Sequence, residues 1–132
     1  MSGPSDPGVV LELPSDLDAP ATARRFVSDH ASHLPVELVR DAELLVSEIV
    51  TNAIRHGRPS VTLQLRLDPP GIGVAVHDHG EYESMPAGDT PVPDVAQPGG
   101  RGLLIVRTVA TEWGVVASDP PPGKTVWFRL QP

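Results

Sequence analysis

The chain has 132 residues and a formal net charge of −7, from 10 basic and 17 acidic side chains, and 39% of its residues are apolar. This length allows one domain with one core, the apolar content excludes a wholly disordered chain, and the negative charge argues against nonspecific binding to nucleic acid or anionic membranes. The absence of cysteine excludes disulfides and thiolate metal sites.

The N-terminal segment predicts a tail followed by an edge strand. Residues 1–8 are polar and lack the basic and apolar regions of a signal peptide, so a flexible tail and a cytoplasmic location are expected. No apolar run approaches the ~20 residues that span a bilayer. The next segment, "VVLELP", alternates weakly and predicts an edge strand that ends at Pro14.

Two helices are predicted after this strand. The first covers "APATARRFVSDHASHL", with Asp18 as its N-cap and Pro20 in its first turn. Pro35 separates it from a second helix, which ends at His56 with Gly57 as its stop.

The remaining chain predicts two hairpins, separated by a long loop and a third helix. The strictly alternating "VTLQLRL", the turn "DPPG" and the strand "IGVAVHD" predict a hairpin over 61–78. Residues 79–101 are rich in proline and glycine and predict a loop. A third helix over "LLIVRTVATEW" is predicted to end at Gly114, before a closing hairpin of "VVAS" and "TVWFRL". The pattern predicts one α/β domain over 9–132, in which about three helices cover one face of a mixed, mostly antiparallel sheet.

The second helix carries polar residues at a spacing of four. At about 100° per residue, Glu48, Asn52 and His56 form one stripe beside the apolar arc of the helix. A carboxylate and an amide oxygen one turn apart are suitable ligands for a phosphate-bound Mg²⁺, and the carboxylate also suits a general base. The alternative is that Glu48 is a surface residue and Asn52 a buried amide bonded to backbone.

Two further patterns indicate a ligand site. Asp78 continues the inward face of its apolar strand, so a partly buried carboxylate with a donor partner is expected, unless it only caps the following turn. His77 and His79 are expected to face the other way. The segment "PGGRGLLIVRTV" opens the third helix with glycines, which exposes N–H groups that suit phosphate, although loops often end in this way.

These motifs, in this order, resemble those of the GHKL ATPases, the family of gyrase, the histidine kinases and their chaperone and mismatch-repair relatives. The chain is most similar to the bacterial anti-sigma-factor serine/threonine kinases. The resemblance covers about residues 10–131: "SEIVTNAIRHG" matches the N box, "VHDHG" and "GGRGL" the two glycine boxes, and "GKTVWF" the last strand.

The resemblance implies a Bergerat-type sandwich that binds ATP and Mg²⁺. It implies that Glu48 is the catalytic base, that Asn52 ligates Mg²⁺ and that Asp78 binds the adenine amino group, supported by Thr125 beneath the base. The other implied nucleotide-binding residues are Gly80, Gly100, Arg101, Gly102 and Leu103. Expected partners are a sigma factor, a STAS-domain anti-anti-sigma protein and a second copy of the chain, with no direct contact to nucleic acid or membrane.

One departure from the family pattern leaves two functions open. Tyr82 replaces the second glycine of the first glycine box, Asp-x-Gly-x-Gly, and its Cβ restricts the backbone at a lid hinge. The first function is a protein kinase that phosphorylates the STAS partner. The second is a nucleotide-dependent partner switch with little or no catalysis. Arg24 and Arg25 on the first helix are predicted to dock an acidic partner or the facing subunit of a homodimer, unless they form an ordinary solvated helix face.

Overall fold

The computed structural model describes residues 8–14, 16–56, 60–79, 100–118 and 123–132, with the side chains of all of these except 56, 60 and 100–104. Within these ranges the strands are β1 (Val9–Pro14), β2 (Ser60–Asp68), β3 (Gly71–Asp78), β4 (Glu112–Ala117) and β5 (Lys124–Leu130). The helices are α1 (Ala19–Ala31), α2 (Val36–His56) and α3 (Gly100–Val109).

The strands form one five-stranded sheet in the order β1-β2-β3-β5-β4. Each of the described pairings is antiparallel, so the parallel component of the predicted mixed sheet is not found among them. Placing β5 between β3 and β4 brings the last strand into the interior of the sheet, beside the central strand β3. The end of β3, which carries Asp78, therefore lies beside the start of β5.

The three helices pack on one face of this sheet, as predicted. α2 packs across β3 and contacts α1 on one side and α3 on the other. Alternate side chains of the strands point into this layer, and the buried apolar ones include Leu13, Val61, Leu63, Leu65, Ile72, Val74, Val76, Val126, Phe128 and Leu130. This strict period of two in β2 and β3 is the pattern that predicted the hairpin.

The start of α1 differs from the prediction in its cap. Asp18 occupies the N-cap position, but its side chain makes no capping hydrogen bond. Its backbone N–H instead donates to Oδ1 of Asp16, over 2.9 Å. Pro20 lies in the first turn as predicted, where its missing N–H costs no helical hydrogen bond. None of the described helices is long and apolar enough to cross a membrane.

The end of the third helix was predicted wrongly. α3 ends at Val109, and Trp113 and Gly114 lie in β4 rather than in the helix. The backbone N–H of Thr111 donates to the carbonyl of Arg129 over 2.8 Å, and Glu112 pairs with Arg129 in the sheet. Pairing with the last strand therefore ends the helix five residues before the predicted stop.

Candidate functional site

The polar stripe on α2 lies at the border of the core, as its spacing predicted. Glu48 and Asn52 are half-buried and one helical turn apart, whereas the neighbouring Leu45 and Ile49 are fully enclosed. His56 is the last residue of α2, but its side chain and Gly57 lie outside the described parts of the chain. The stripe therefore places a carboxylate and an amide at the edge of the helical layer.

Asn52 carries a buried polar atom with no partner. Its Oδ1 accepts no hydrogen bond, and it is the one buried side-chain nitrogen or oxygen in this condition among the described residues. An unsatisfied buried acceptor costs about 1–3 kcal/mol, so a buried acceptor in a folded protein generally has a partner, which can be a bound water or ion. For Oδ1, the alternative of a buried amide bonded to backbone therefore does not hold.

The oxygens of Glu48 and Asn52 fit a magnesium ion that is held mainly by a bound phosphate. Mg²⁺ prefers hard oxygen ligands, keeps several waters and is commonly bound through one or two protein groups together with substrate phosphates. A cage made by the protein alone needs more ligands. The described ranges contain no group of three or more His, Cys, Asp or Glu side chains that would hold a metal ion.

Asp78 is a buried carboxylate at the end of β3, and it has the donor partner that its burial requires. The residue is 1% exposed and lies opposite Lys124, which is 3% exposed. Nζ of Lys124 lies 3.4 Å from Oδ2 of Asp78. Burial lowers the pKa of Lys124 below its ordinary value, and the charge and hydrogen bond of Asp78 act in the opposite direction. The two groups therefore form a buried ion pair.

The predicted support of Asp78 by Thr125 needs correction. In the β3–β5 register Thr125 pairs with His77, and its hydroxyl lies 2.9 Å from Nδ1 of that histidine. Since neighbouring residues of a strand face opposite sides of the sheet, Thr125 lies on the side away from Asp78. Lys124 takes the place that the resemblance implied for Thr125. The ring of His79 packs edge-on to that of His77, with centroids 4.6 Å apart, so both histidines face away from the pair, as expected.

Sequence reasoning missed Lys124, although its position in the strand pattern indicated it. Val126, Phe128 and Leu130 define the inward face of β5, and Lys124 has the same phase. A lysine in the inward phase of a strand is rarely left without an anion. That signal, taken with the inward phase of Asp78, predicts an ion pair once the two strands are known to be neighbours.

The glycine-rich segment opens α3, as predicted. The helix begins at Gly100, so its first turn contains Gly100, Arg101, Gly102 and Leu103. The first N–H groups of a helix have no intrahelical acceptor and favour anions. α3 packs against α2, which carries Glu48 and Asn52. Gly80 and Tyr82 lie outside the described residues, and the predicted roles of all these positions stay predictions.

A cavity on the opposite face of the sheet does not belong to this site. It has a volume of about 450 Å³ and is lined by β2, β3 and β5, including Arg66, Ala75, Trp127 and Arg129. These side chains alternate with the inward ones, so the cavity and the Asp78–Lys124 pair are on opposite sides of the sheet.

Comparison with known proteins agrees with this geometry. A family model described as a histidine kinase-like ATPase domain matches residues 13–130, which is most of the chain. The matched range begins near the end of β1 and runs to the last residue of β5, and it contains α2, Asp78 and Lys124. No curated protein matches the chain closely enough to count as a relative.

Proposed function

This chain belongs to the histidine kinase-like ATPase family, and on this premise we propose that it is a regulatory serine/threonine-protein kinase that binds ATP with Mg²⁺. The observation that carries the proposal is the buried, unpartnered Oδ1 of Asn52. It lies one helical turn from Glu48, on the helix that packs across β3, the strand that ends in Asp78. The proposed acceptor is a STAS-domain anti-anti-sigma protein, and the proposed target of sequestration is a sigma factor.

Each side chain of the site has a distinct chemical task in this proposal. Asn52 holds Mg²⁺ through Oδ1, and Glu48 takes the proton of the acceptor hydroxyl as general base. Asp78 accepts a hydrogen bond from the adenine amino group. The N–H groups at the start of α3 donate to phosphate oxygens. When bound, ATP and Mg²⁺ supply the phosphoryl group and the cation that offsets its charge.

The proposal predicts selective binding of adenine nucleotides. Titration calorimetry and thermal unfolding are expected to show Mg²⁺-dependent binding and stabilisation by ATP, with little effect from GTP. The physical reason is that guanine presents a carbonyl oxygen where adenine presents its amino group, so the carboxylate of Asp78 would face a second acceptor. Equal stabilisation by both nucleotides, or by neither, would contradict the proposal.

The partner-switch alternative is favoured by Tyr82 and is separated from the kinase by phosphoryl transfer. Purified STAS proteins from the same organism, incubated with the chain and radiolabelled ATP, are expected to become labelled on serine or threonine. ATP binding without transfer to any of these proteins would instead support a nucleotide-dependent binding module. A sigma-factor pull-down with and without nucleotide tests the sequestration that both functions share.

A further inference from the structure

Lys124 and Asp78 are the two charged residues that are fully buried within the described part of the chain. A lysine has a flexible four-carbon stem and usually extends its ammonium group to water when it lies near a surface. Lys124 does not: its side chain is 4% exposed, and Nζ lies 3.4 Å from Oδ2 of Asp78. The sequence therefore keeps a cation inside the protein, directly against the carboxylate of the candidate site.

Stability of the fold does not explain this pair. Removing an ion from water costs several kcal/mol even in real proteins, and well-packed apolar residues often replace a buried pair at no loss of stability. The next inward pair in the same register, Val76 with Val126, shows that an apolar pair packs between these two strands. The charges are therefore better explained by the ligand that the site takes.

The ammonium group decides which hydrogen bonds Asp78 makes. An ionised carboxylate only accepts hydrogen bonds, whereas a protonated carboxyl also donates one. A carboxyl enclosed without a cation tends to take up a proton, because burial disfavours its charged form. Among the described residues, His77 and His79 face the other side of the sheet, and Lys124 faces Asp78 across the strand pair. It supplies the positive charge that keeps the carboxylate an acceptor.

We propose that Lys124 determines the base selectivity of the nucleotide site by holding Asp78 in its ionised, acceptor-only form. The site then takes a base with an exocyclic amino group and rejects one with a carbonyl at that position. This inference rests on the proposed function, in which Asp78 contacts the base. Lys124 acts through Asp78 and is a positioning residue. Burial lowers the pKa of Lys124, and the charge and hydrogen bond of Asp78 oppose that change, so the carboxylate favours the ammonium form of its partner.

The test compares binding of ADP and GDP, each with Mg²⁺, to the full chain by titration calorimetry between pH 6 and 9. The Lys124→Met variant is expected to lose about tenfold or more of the ADP-to-GDP preference at neutral pH, because a protonated Asp78 donates to the guanine carbonyl. A tenfold change corresponds to about 1.4 kcal/mol. Raising the pH removes that proton, so the preference of the variant is expected to return, while that of the unchanged protein stays constant.

Three further variants make the result specific. Lys124→Arg keeps the cation and is expected to keep the preference. Lys124→Gln repeats the test with a neutral donor of similar polarity, which covers the case in which Lys124→Met does not fold. Arg129→Met removes a cation from the same strand, on the opposite and partly exposed face. It is expected to leave the preference unchanged.

The outcomes separate this inference from the proposed function. If the unchanged protein prefers ADP and a folded Lys124→Met or Lys124→Gln variant keeps that preference at every pH, the inference is wrong while the proposed function stands. If the unchanged protein binds no adenine nucleotide, both are wrong. A loss of preference at neutral pH that returns at high pH supports the inference, because a merely structural role of Lys124 gives no such recovery.

Discussion

Glu48 and Asn52 lie one helical turn apart, and changing them is expected to give different losses. Asn52→Ala is expected to weaken Mg²⁺-dependent nucleotide binding with little change in the stability of the nucleotide-free protein, because Oδ1 has no hydrogen bond to lose. Glu48→Gln is expected to keep nucleotide binding and to lower phosphoryl transfer about 10²–10⁴-fold, the usual contribution of a general base. Calorimetry measures the first effect and single-turnover transfer the second.

Two results would contradict these assignments. Transfer at the unchanged rate by Glu48→Gln would show that Glu48 is not the base. If Asn52→Ala binds nucleotide with the same affinity and the same dependence on Mg²⁺ as the unchanged protein, Asn52 does not belong to the metal site. Glu43, a half-buried acid earlier on the same helix, supplies the matched control, since Glu43→Gln is expected to leave both measurements unchanged.

Asp78 also controls stability through its partner. Asp78→Asn removes the carboxylate that the buried ammonium of Lys124 contacts, and it is expected to lower the free energy of unfolding by about 3–5 kcal/mol. The pKa of Lys124 is already lowered by burial below its ordinary value of 10.5. Between this lowered pKa and 10.5, the unfolded chain holds more protons than the folded chain. The free energy of unfolding therefore rises with pH over that range, and part of the lost stability is expected to return. Chemical denaturation at several pH values measures both effects.

A second ion pair, on the opposite face of β5 from Lys124, is the control for the Asp78→Asn experiment. Nη1 of Arg129 lies 2.6 Å from Oε1 of Glu112, and the two side chains are 44% and 54% exposed. Exposed pairs contribute about 0–1 kcal/mol, because water already solvates both charges. Glu112→Gln is therefore expected to change stability far less than Asp78→Asn. Similar losses from the two variants would mean that burial does not set the strength of the Asp78–Lys124 pair.

At the scale of single residues, the sequence predicted the positions whose evidence is local. The inward phase of Asp78 and the border position of Asn52 follow from periods of two and 3.6, and the structure confirms both. Two other features depend on which strands and helices become neighbours. They are the lack of a hydrogen-bond partner for Oδ1 of Asn52 and the contact of Lys124 with Asp78. That information is not contained in local spacing, and the role that the resemblance implied for Thr125 falls to Lys124 in the strand register.

At the scale of elements, the boundary between α3 and β4 shows how a distant pairing overrides a local pattern. The segment "LLIVRTVATEW" continues a helical period beyond Val109, and Gly114 resembles a helix stop. In the folded chain Glu112–Ala117 pairs with β5 instead. A strand partner that follows later in the chain was not visible in the local pattern. The edge strand, the second helix and the first hairpin rest on local patterns and were predicted correctly, whereas the first helix ends at Ala31, before the predicted Leu34.

Gly114 is required by the partner strand. Its cross-strand neighbour is Trp127, and a Cβ added at Gly114 would lie 2.6 Å from Nε1 and 2.9 Å from Cε2 of the indole. Gly114→Ala is expected to displace the indole, to lower the free energy of unfolding by about 1–3 kcal/mol and to shift the tryptophan emission. Thermal unfolding and fluorescence in a Trp113→Phe background measure these effects on Trp127 alone.

Gly73 provides a matched control on the same face of the sheet. A Cβ there would meet its nearest atoms at 3.7–3.9 Å, which is ordinary contact. Gly73→Ala is therefore expected to be tolerated, with an unchanged emission spectrum. If both alanine variants have the stability of the unchanged protein, the close approach of Gly114 to the indole does not constrain the sheet.

At the scale of the whole molecule, the helical layer determines which surface is left for a partner. α1 is the outermost helix on the β1 side, and it packs on α2, the helix of the candidate site. Phe26 is half-buried against the core and stacks on His30, so it serves the fold. Arg24 and Arg25 are exposed, and Nη1 of Arg24 donates to the hydroxyl of Ser47 over 2.8 Å. This bond joins the arginine pair to the residue before Glu48.

The last prediction is that these two arginines dock an acidic partner or a second copy of the chain. Arginine is enriched at protein interfaces, and truncation of an interfacial hot spot costs about 2 kcal/mol or more, which is about thirtyfold in Kd. Arg24→Ala combined with Arg25→Ala is expected to weaken sigma-factor binding or self-association and to leave ATP affinity unchanged.

Ser47→Ala is the matched control, because it removes the hydrogen-bond partner of Arg24 but keeps both charges. Titration with purified sigma factors and analytical ultracentrifugation measure the two associations. If the double variant equals the unchanged protein in both, the arginines belong to an ordinary solvated helix face, and the partner surface lies elsewhere on the molecule.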